Sequence, residues 1–380
     1  MADQTFRVVF AGGGSGGHAY PVIAVAEALQ KKFTEEFKTP LVMTRIGPRD
    51  GYEMLFENHG IAVDWIVSAK LRRYFSFRNL VDIPKFFVGW AQALVKLYFA
   101  MPDIVFSKGG TGSLPVVLAA WWYQIPVVIH ESDAKPGLAN LVSSYFAKKI
   151  FLSFEYAKRY FNPNITEVVG TPERRELFAE KTTKDLAKDA LGFGSSSPLT
   201  VIFCGSQGSQ SINDFILANL PELIKETQLF HQTGTANFLD VEKLSHAALI
   251  DASYANRYQA TGYFENNLGL VLTAADLVVG RAGSGTIFEI AAFGVPAILI
   301  PLGDSASNGH QGINAYEFAK GGAAIVIEEE NLLPGIFLNQ IRSILGNQDL
   351  RNKMSAASVR FFIPGAAETI VEGMIALCSG

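Results

Sequence analysis

The sequence predicts an α/β protein of two Rossmann-like domains, each a parallel sheet covered by helices. Three observations predict it. Short β-rich runs alternate with amphipathic helical patterns, which implies parallel strands joined by right-handed crossovers. A strand, glycine loop and helix open the chain, and the same pattern recurs from residue 199. The chain has 380 residues, 49% hydrophobic and 18% charged, enough for two full cores and too apolar for disorder.

In chain order, "FRVVFA" reads as the first strand, followed by a glycine loop and a helix from about Pro21. "PLVMTRI" is the second strand. "DIVFSK" and "IPVVIH" are buried strands separated by the helical pattern "LPVVLAAWWYQ". A break follows "EVVGTPERRE", and the polar "KTTKDLAKDALGFGSSSP" leads into "LTVIFCGSQGSQSINDFIL", again strand, loop and helix. The expected domains are residues 1–168 and 169–363. In such proteins the ligand lies in an inter-domain cleft, at the carboxyl ends of the strands.

Composition narrows the class. The two cysteines, Cys204 and Cys378, match no disulfide framework or zinc spacing, so a reducing compartment is expected. The polar first residues do not read as a secretory signal. The longest apolar stretch, residues 86–101, is broken by Gln92 and Lys96, so no transmembrane helix is expected. Residues 1–170 carry 18 Lys+Arg against 14 Asp+Glu, and residues 171–380 carry 14 against 22. The basic first half suits an anionic partner or surface.

Three loops carry the chemistry. Gly12, Gly14 and Gly17 satisfy G-x-G-x-x-G after a strand, a phosphate-cradling pattern. A dinucleotide site would want an acid at the end of strand two, but Arg45 stands there, which leaves room only for a 2′-phosphate cofactor. His18 follows the last glycine directly. "FSKGGTGSLP" and "CGSQGSQSIN" are the second and third loops. Further on, Arg281 ends a strand where a guanidinium could meet a phosphate. Ser284, Gly285 and Thr286 are expected to cap the next helix, and Glu289 to reach ribose hydroxyls. Gln311 and Asn314 share a helical face and could both contact a sugar. No D-x-D occurs, so no metal held by protein ligands is expected.

"GGGSGGHAYP", "KGGTGSLPVVLAA", "HESDAKPGLAN", "GTPERREL", "GSQGSQSIN", "RAGSGTIFEIAAFGVPAILIP" and "HQGINA" stand in one order and spacing. With them the chain resembles, over nearly its whole length, the MurG family of bacterial peptidoglycan glycosyltransferases. The resemblance implies the GT-B architecture, with a final helix (about 364–380) returning to the first domain. It implies inverting transfer of GlcNAc from UDP-GlcNAc to the MurNAc of undecaprenyl-pyrophosphoryl-MurNAc-pentapeptide. A UDP-GlcNAc 2-epimerase of the same architecture and a non-catalytic nucleotide-sugar binder are the alternatives. No cofactor is implied beyond the donor, with room for a loosely held magnesium ion on the substrate.

The resemblance also assigns residues. His18 is the first choice of base, with Glu131 and Asp133 as alternatives or as partners orienting the imidazole. The donor falls to Ser15, Gly16, Gly17, Asp133, Arg174, Ser206, Gln207, Arg281, Ser284, Gly285, Thr286, Ile287, Phe288, Glu289, Gln311 and Asn314, with uracil near Phe264 and Glu265. Gly14, Lys108, Gly109 and Gly110 face the acceptor. Arg72, Arg73, Arg78, Leu80, Phe87, Trp90, Trp121 and Lys148 form an apolar and basic patch for a peripheral site on the anionic cytoplasmic membrane face. Other cell-wall synthesis proteins are further implied partners, and nucleic acid is not.

Overall fold

The computed structural model describes residues 5–378 except 15, 69–77, 180–181, 206, 251, 265–266 and 304–308; the side chains of 78–81 also lie outside the description. The chain forms two compact units. One is Met1–Arg174 with Ile363–Gly380, the other Arg175–Phe362.

The first unit has seven strands: β1 (Phe6–Gly13), β2 (Leu41–Gly47), β3 (Ile61–Trp65), β4 (Ile104–Gly110), β5 (Val127–Glu131), β6 (Lys149–Leu152) and β7 (Thr166–Val168). All pair in parallel in the order β3-β2-β1-β4-β5-β6-β7. Its helices are α1 (Gly16–Lys32), α2 (Glu53–Asn58), α3 (Arg78–Ala100), α4 (Ser113–Trp122) and α5 (Leu138–Ser143). Strand alternation divides the core. Val8 and Phe10 point into the layer filled by α1, while Val9 and Ala11 meet Ala93 and Leu97 of α3 and Val116 and Val117 of α4. Both faces are covered, as an all-parallel sheet requires.

The second unit repeats the plan with β8 (Leu199–Phe203), β9 (Gln228–Gln232), β10 (Tyr258–Thr261), β11 (Leu277–Gly280), β12 (Ala297–Leu299) and β13 (Ala324–Val326). These strands run parallel in the order β10-β9-β8-β11-β12-β13. Its helices are α6 (Lys184–Ala190), α7 (Gln210–Glu226), α8 (Phe238–Ala248), α9 (Leu268–Ala274), α10 (Ser284–Ala292), α11 (His310–Lys320), α12 (Pro334–Gly346) and α13 (Gln348–Phe361). The last helix, α14 (Ala366–Cys378), belongs to the first unit and buries Ile370, Val371 and Met374 beside α1 residues.

One described stretch, Gln348–Cys378, is long and apolar enough by composition to cross a membrane. It is broken between α13 and α14, and α14 buries one face, with Ala366, Ala367, Ile370, Val371 and Met374, in the core of the first unit. The interruptions of α3 expected from sequence are anchors to the sheet side: Gln92 accepts the Val67 N–H at 2.7 Å, and Lys96 pairs with Asp64 at 2.6 Å.

In both sheets the strand order reverses beside the first strand, at β1/β4 and at β8/β11. Ligand loops of doubly wound sheets sit at the carboxyl ends of such a pair. Three of the loops singled out from sequence, and Arg281, lie there. At β1/β4 the two backbones nearly touch: Gly12 pairs with Gly109 and Gly13 with Gly110, past a register shift after Ala11. Gly12 has φ +111, and a β-carbon on it would lie 2.1 Å from the Gly109 carbonyl oxygen. Gly12→Ala should therefore destabilise the first unit by roughly 3 kcal/mol. Calorimetry should show an earlier unfolding transition, and an unchanged thermogram would refute so close an approach.

Candidate functional site

The first loop is held from beneath. Arg45, 1% exposed on β2, donates from Nε to the Gly12 carbonyl at 3.2 Å and from Nη2 to Asp50. Asp50 Oδ2 also accepts the Gly14 N–H at 2.9 Å. Buried and paired, Arg45 is committed to bracing this loop. That closes the opening left by sequence for a 2′-phosphate cofactor.

Helix α1 starts at Gly16, five residues before the expected Pro21. Pro21 lies inside it, where its missing N–H leaves the carbonyl of Gly17 without its helical donor; Gly17 is exposed, so water can serve instead. The early start makes His18 the third residue of the helix. A β-carbon at Gly110 would lie 2.3 Å from the Gly13 oxygen and 3.1 Å from the His18 ring, so glycine there makes room for the imidazole. His18 is half-buried. Burial first, then the Lys108 ammonium, pushes its pKa down to about 4, while Asp133 acts the other way. The positive end of α1 disfavours the imidazolium too. The His18 imidazole is neutral at physiological pH.

Lys108 is buried at the end of β4 and donates to Ser132 Oγ. Burial lowers its pKa, while Glu131 and Asp133 support its charge. Glu131 has both oxygens occupied. Oε1 accepts the Asp133 N–H at 2.9 Å; Oε2 accepts the Gly137 N–H at 3.1 Å and Asn140 Nδ2 at 3.0 Å. It organises the loop after β5, and this geometry does not favour it as a base. Burial and Asp133 raise its pKa to about 7 against those donors and Lys108. Asp133 is half-buried, and its charge acts on His18, Lys108 and Glu131. Arg174 is buried with its guanidinium 4.1 Å from the Tyr20 ring.

In the second unit Arg281 follows β11. Its Nη1 donates to the carbonyls of Ile300 at 3.2 Å and Pro301 at 3.3 Å. Its Nη2 meets Ser209 Oγ at 2.8 Å, Ser211 Oγ at 2.9 Å and Glu329 Oε1 at 2.7 Å. Ser209 lies within the third glycine loop and precedes the first turn of α7; Gln207 of the same loop is exposed. Gly283, not Ser284–Thr286, is the N-cap of α10, with no side-chain bond at the cap. Ser284, Gly285 and Thr286 form its first turn and offer backbone N–H groups instead. The side chains of Ile287 and Phe288 are core, so only their backbones could serve a ligand. Glu289 is half-buried in the next turn.

Gln311 Oε1 accepts the Leu302 N–H at 3.0 Å, which orients its amide. Asn314 is fully buried and donates to the Ala282 carbonyl at 3.3 Å. It therefore tethers the loop after β11 and is not presented to a sugar, because the shared face turns inward one turn along. The Phe264 ring is likewise core, against Phe203 and Phe230.

Sequence reasoning missed Gln232. Fully buried at the end of β9, it accepts the Phe264 N–H at 3.0 Å and donates to the Gly205 carbonyl at 2.7 Å, tying the third glycine loop to the segment before α9. The signal was present: "HQTGT" puts polar residues where a buried strand should end apolar. Ser15, Ser206, Glu265, Arg72 and Arg73 lie outside the described residues, as do the side chains of Arg78 and Leu80. Of the expected membrane patch, Phe87 is 58% and Trp121 54% exposed, and Lys148 is exposed. Trp90 is half-buried, with its Nε1 enclosed, and packs edge-on to Trp122. It packs partly against the core of the first unit and is less exposed than Phe87 and Trp121.

Two parallel-sheet units, each with glycine loops at its switch point, define the GT-B class of α/β fold. Residues 8–152 match the glycosyltransferase family 28 N-terminal domain and residues 199–370 the family 28 C-terminal domain. A Legionella pneumophila UDP-N-acetylglucosamine–N-acetylmuramyl-(pentapeptide) pyrophosphoryl-undecaprenol N-acetylglucosamine transferase is 37% identical over 356 residues, covering 93% of each chain. A Bacillus cereus enzyme of the same name (number 2) is 35% identical over 347 residues, 90% of this chain and 93% of that one. The crystal structure of Acinetobacter baumannii MurG superposes with a TM-score of 0.73 at 26% identity, covering 98% of this chain and 99% of that one. A putative UDP-N-acetylglucosamine 2-epimerase from Listeria monocytogenes has a TM-score of 0.69 over 98% of this chain and 97% of that one. At 16% identity that likeness speaks to the fold alone. The chain belongs to glycosyltransferase family 28, among these N-acetylglucosamine transferases.

In protein labelled at histidine, an NMR titration should find His18 neutral at pH 6 and titrating near pH 4. Lys108→Met should move that midpoint upward. The unfolded chain takes up this proton around pH 6.5 and the folded one does not. The stability His18 contributes is thus present above pH 6.5 and shrinks as pH falls toward 4. A midpoint at 6.5 in the native protein would contradict the account.

Proposed function

We propose that the protein transfers N-acetylglucosamine from UDP-N-acetylglucosamine to the MurNAc of the undecaprenyl-pyrophosphoryl pentapeptide, with inversion at the anomeric carbon. The observation that carries this reading is the match to N-acetylglucosamine transferases over nine-tenths of the chain, with the His18 imidazole on the first turn of α1. His18 takes the proton of the attacking MurNAc hydroxyl, and Asp133 steadies the imidazolium formed. Lys108 and the β4 loop lie on the acceptor side. The leaving UDP is received by the first-turn amides of α10 and by Arg281, with Glu289 on the ribose and Gln311 on the sugar. The third glycine loop completes the donor site. Any magnesium present rides on the substrate.

The lipid acceptor brings the protein to the cytoplasmic membrane face as a peripheral enzyme. Supporting this, α3 exposes Ile83, Phe87, Val95, Tyr98 and Phe99 at 56–75%, and the neighbouring α4 exposes Trp121 and Trp122. Apolar side chains beside basic ones give reversible interfacial binding.

Purified protein with UDP-GlcNAc and a short-chain lipid acceptor should release UDP and form the disaccharide lipid. Formation of UDP-ManNAc without acceptor would favour the epimerase reading instead. His18→Ala should lower kcat by roughly a hundredfold or more and leave UDP affinity, measured by calorimetry, unchanged; loss of donor binding alone would remove the base assignment. Replacing Phe87, Tyr98 and Phe99 together by serine should weaken binding to anionic phosphatidylglycerol vesicles at least about tenfold. Undiminished vesicle binding would discard this face as the membrane contact.

A further inference from the structure

The Arg281 guanidinium, read above as a receiver of the donor diphosphate, already holds an anion of the protein itself. Glu329 opens the short 3-10 turn Glu329–Asn331, and its carboxylate bonds Nη2 at 2.7 Å and the Ser211 hydroxyl. Both members are largely enclosed, with Arg281 11% and Glu329 31% exposed at the side chain. The two hydrogens of Nη2 are shared among three oxygens, from Ser209, Ser211 and Glu329. A diphosphate reaching the same nitrogen would meet no unused donor there and a like charge beside it. Nor is Glu329 needed to aim the guanidinium. Nη1 is fixed independently by the Ile300 and Pro301 carbonyls, and the two serine hydroxyls flank Nη2.

We propose that Glu329 is an affinity-setting residue for the donor: its carboxylate occupies the anion seat of Arg281 and leaves Nη2 when the diphosphate of the nucleotide sugar binds. The proposal rests on the reading of Arg281 as a diphosphate contact. It assigns Glu329 to competition with the ligand, and the two serine hydroxyls to holding the guanidinium whichever anion is present. Donor affinity is then lower than the same site would give without the internal carboxylate, and UDP is released more readily after transfer.

Calorimetric titration of the full-length protein with UDP and with uridine tests this. Glu329→Gln keeps the shape and an acceptor oxygen but removes the charge. It should tighten UDP binding about fivefold, the size expected for relief of one partly exposed ion pair, and leave uridine binding unchanged. UDP affinity that is unchanged or weaker in Glu329→Gln overturns the proposal, a weaker value meaning that Glu329 supports Arg281. Arg281→Gln separates the two ways of failing. If it leaves UDP affinity intact, the diphosphate reading of Arg281 falls, and the competition with it. If it weakens UDP while Glu329→Gln fails to tighten it, only the competition falls.

Discussion

The first unit depends on how closely two backbones approach where β1 and β4 end. Parallel strands leaving a switch point send their loops toward the same space, and here they meet with the Gly12 and Gly109 backbones in contact. Side chains cannot fill such a gap, so glycines do, and their amides and carbonyls become the surface of the site. Bare backbone needs support from below, which Arg45 and Asp50 supply by reaching a carbonyl and an amide of the loop. The second unit meets the same demand differently, with the uncharged Gln232 bridging Gly205 and Phe264.

Charge is distributed with matching economy. Lys108 is the buried cation around which His18, Glu131 and Asp133 are arranged, and its ammonium helps keep the imidazole neutral while it offsets the carboxylates. In the second unit Arg281 lies between two strand-end carbonyls and an acid. Both sites hold one enclosed positive charge with its own internal partner. Neither depends on a substrate to make it tolerable in the folded protein.

Much of the fold was legible because parallel strands and crossover helices carry strong periodic signals. "LTVIF" became β8, and "LPVVLAAWWYQ" contains most of α4. The loops were legible as loops, since glycine clusters after buried strands have few other uses. What sequence could not reveal was which polar groups face inward. Asn314 and Gln311 share a helical face, yet one turn of helix is enough to carry that face from the loop into the core. Trp90 and Phe87 lie three apart on α3, and only packing against α4 separates a half-buried residue from an exposed one. Arg45 stood in a strand where a charge signals either a ligand or a brace, and only its partners decide between them. The start of α1 was misjudged because proline usually marks a first turn, whereas here an exposed glycine carbonyl allows it deeper.

The return of α14 to the first unit reaches beyond the finished structure. Ribosomes deliver this chain from its amino end, so β1, α1 and their neighbours emerge long before residues 366–378, whose apolar side chains cover them. Until those residues are made, one face of the earlier unit has only part of its cover. A nascent chain in that condition is sticky, and chaperone demand should be greatest just before residues 366–378 emerge. A frameshift or nonsense codon ahead of residue 366 would thus injure the unit encoded first.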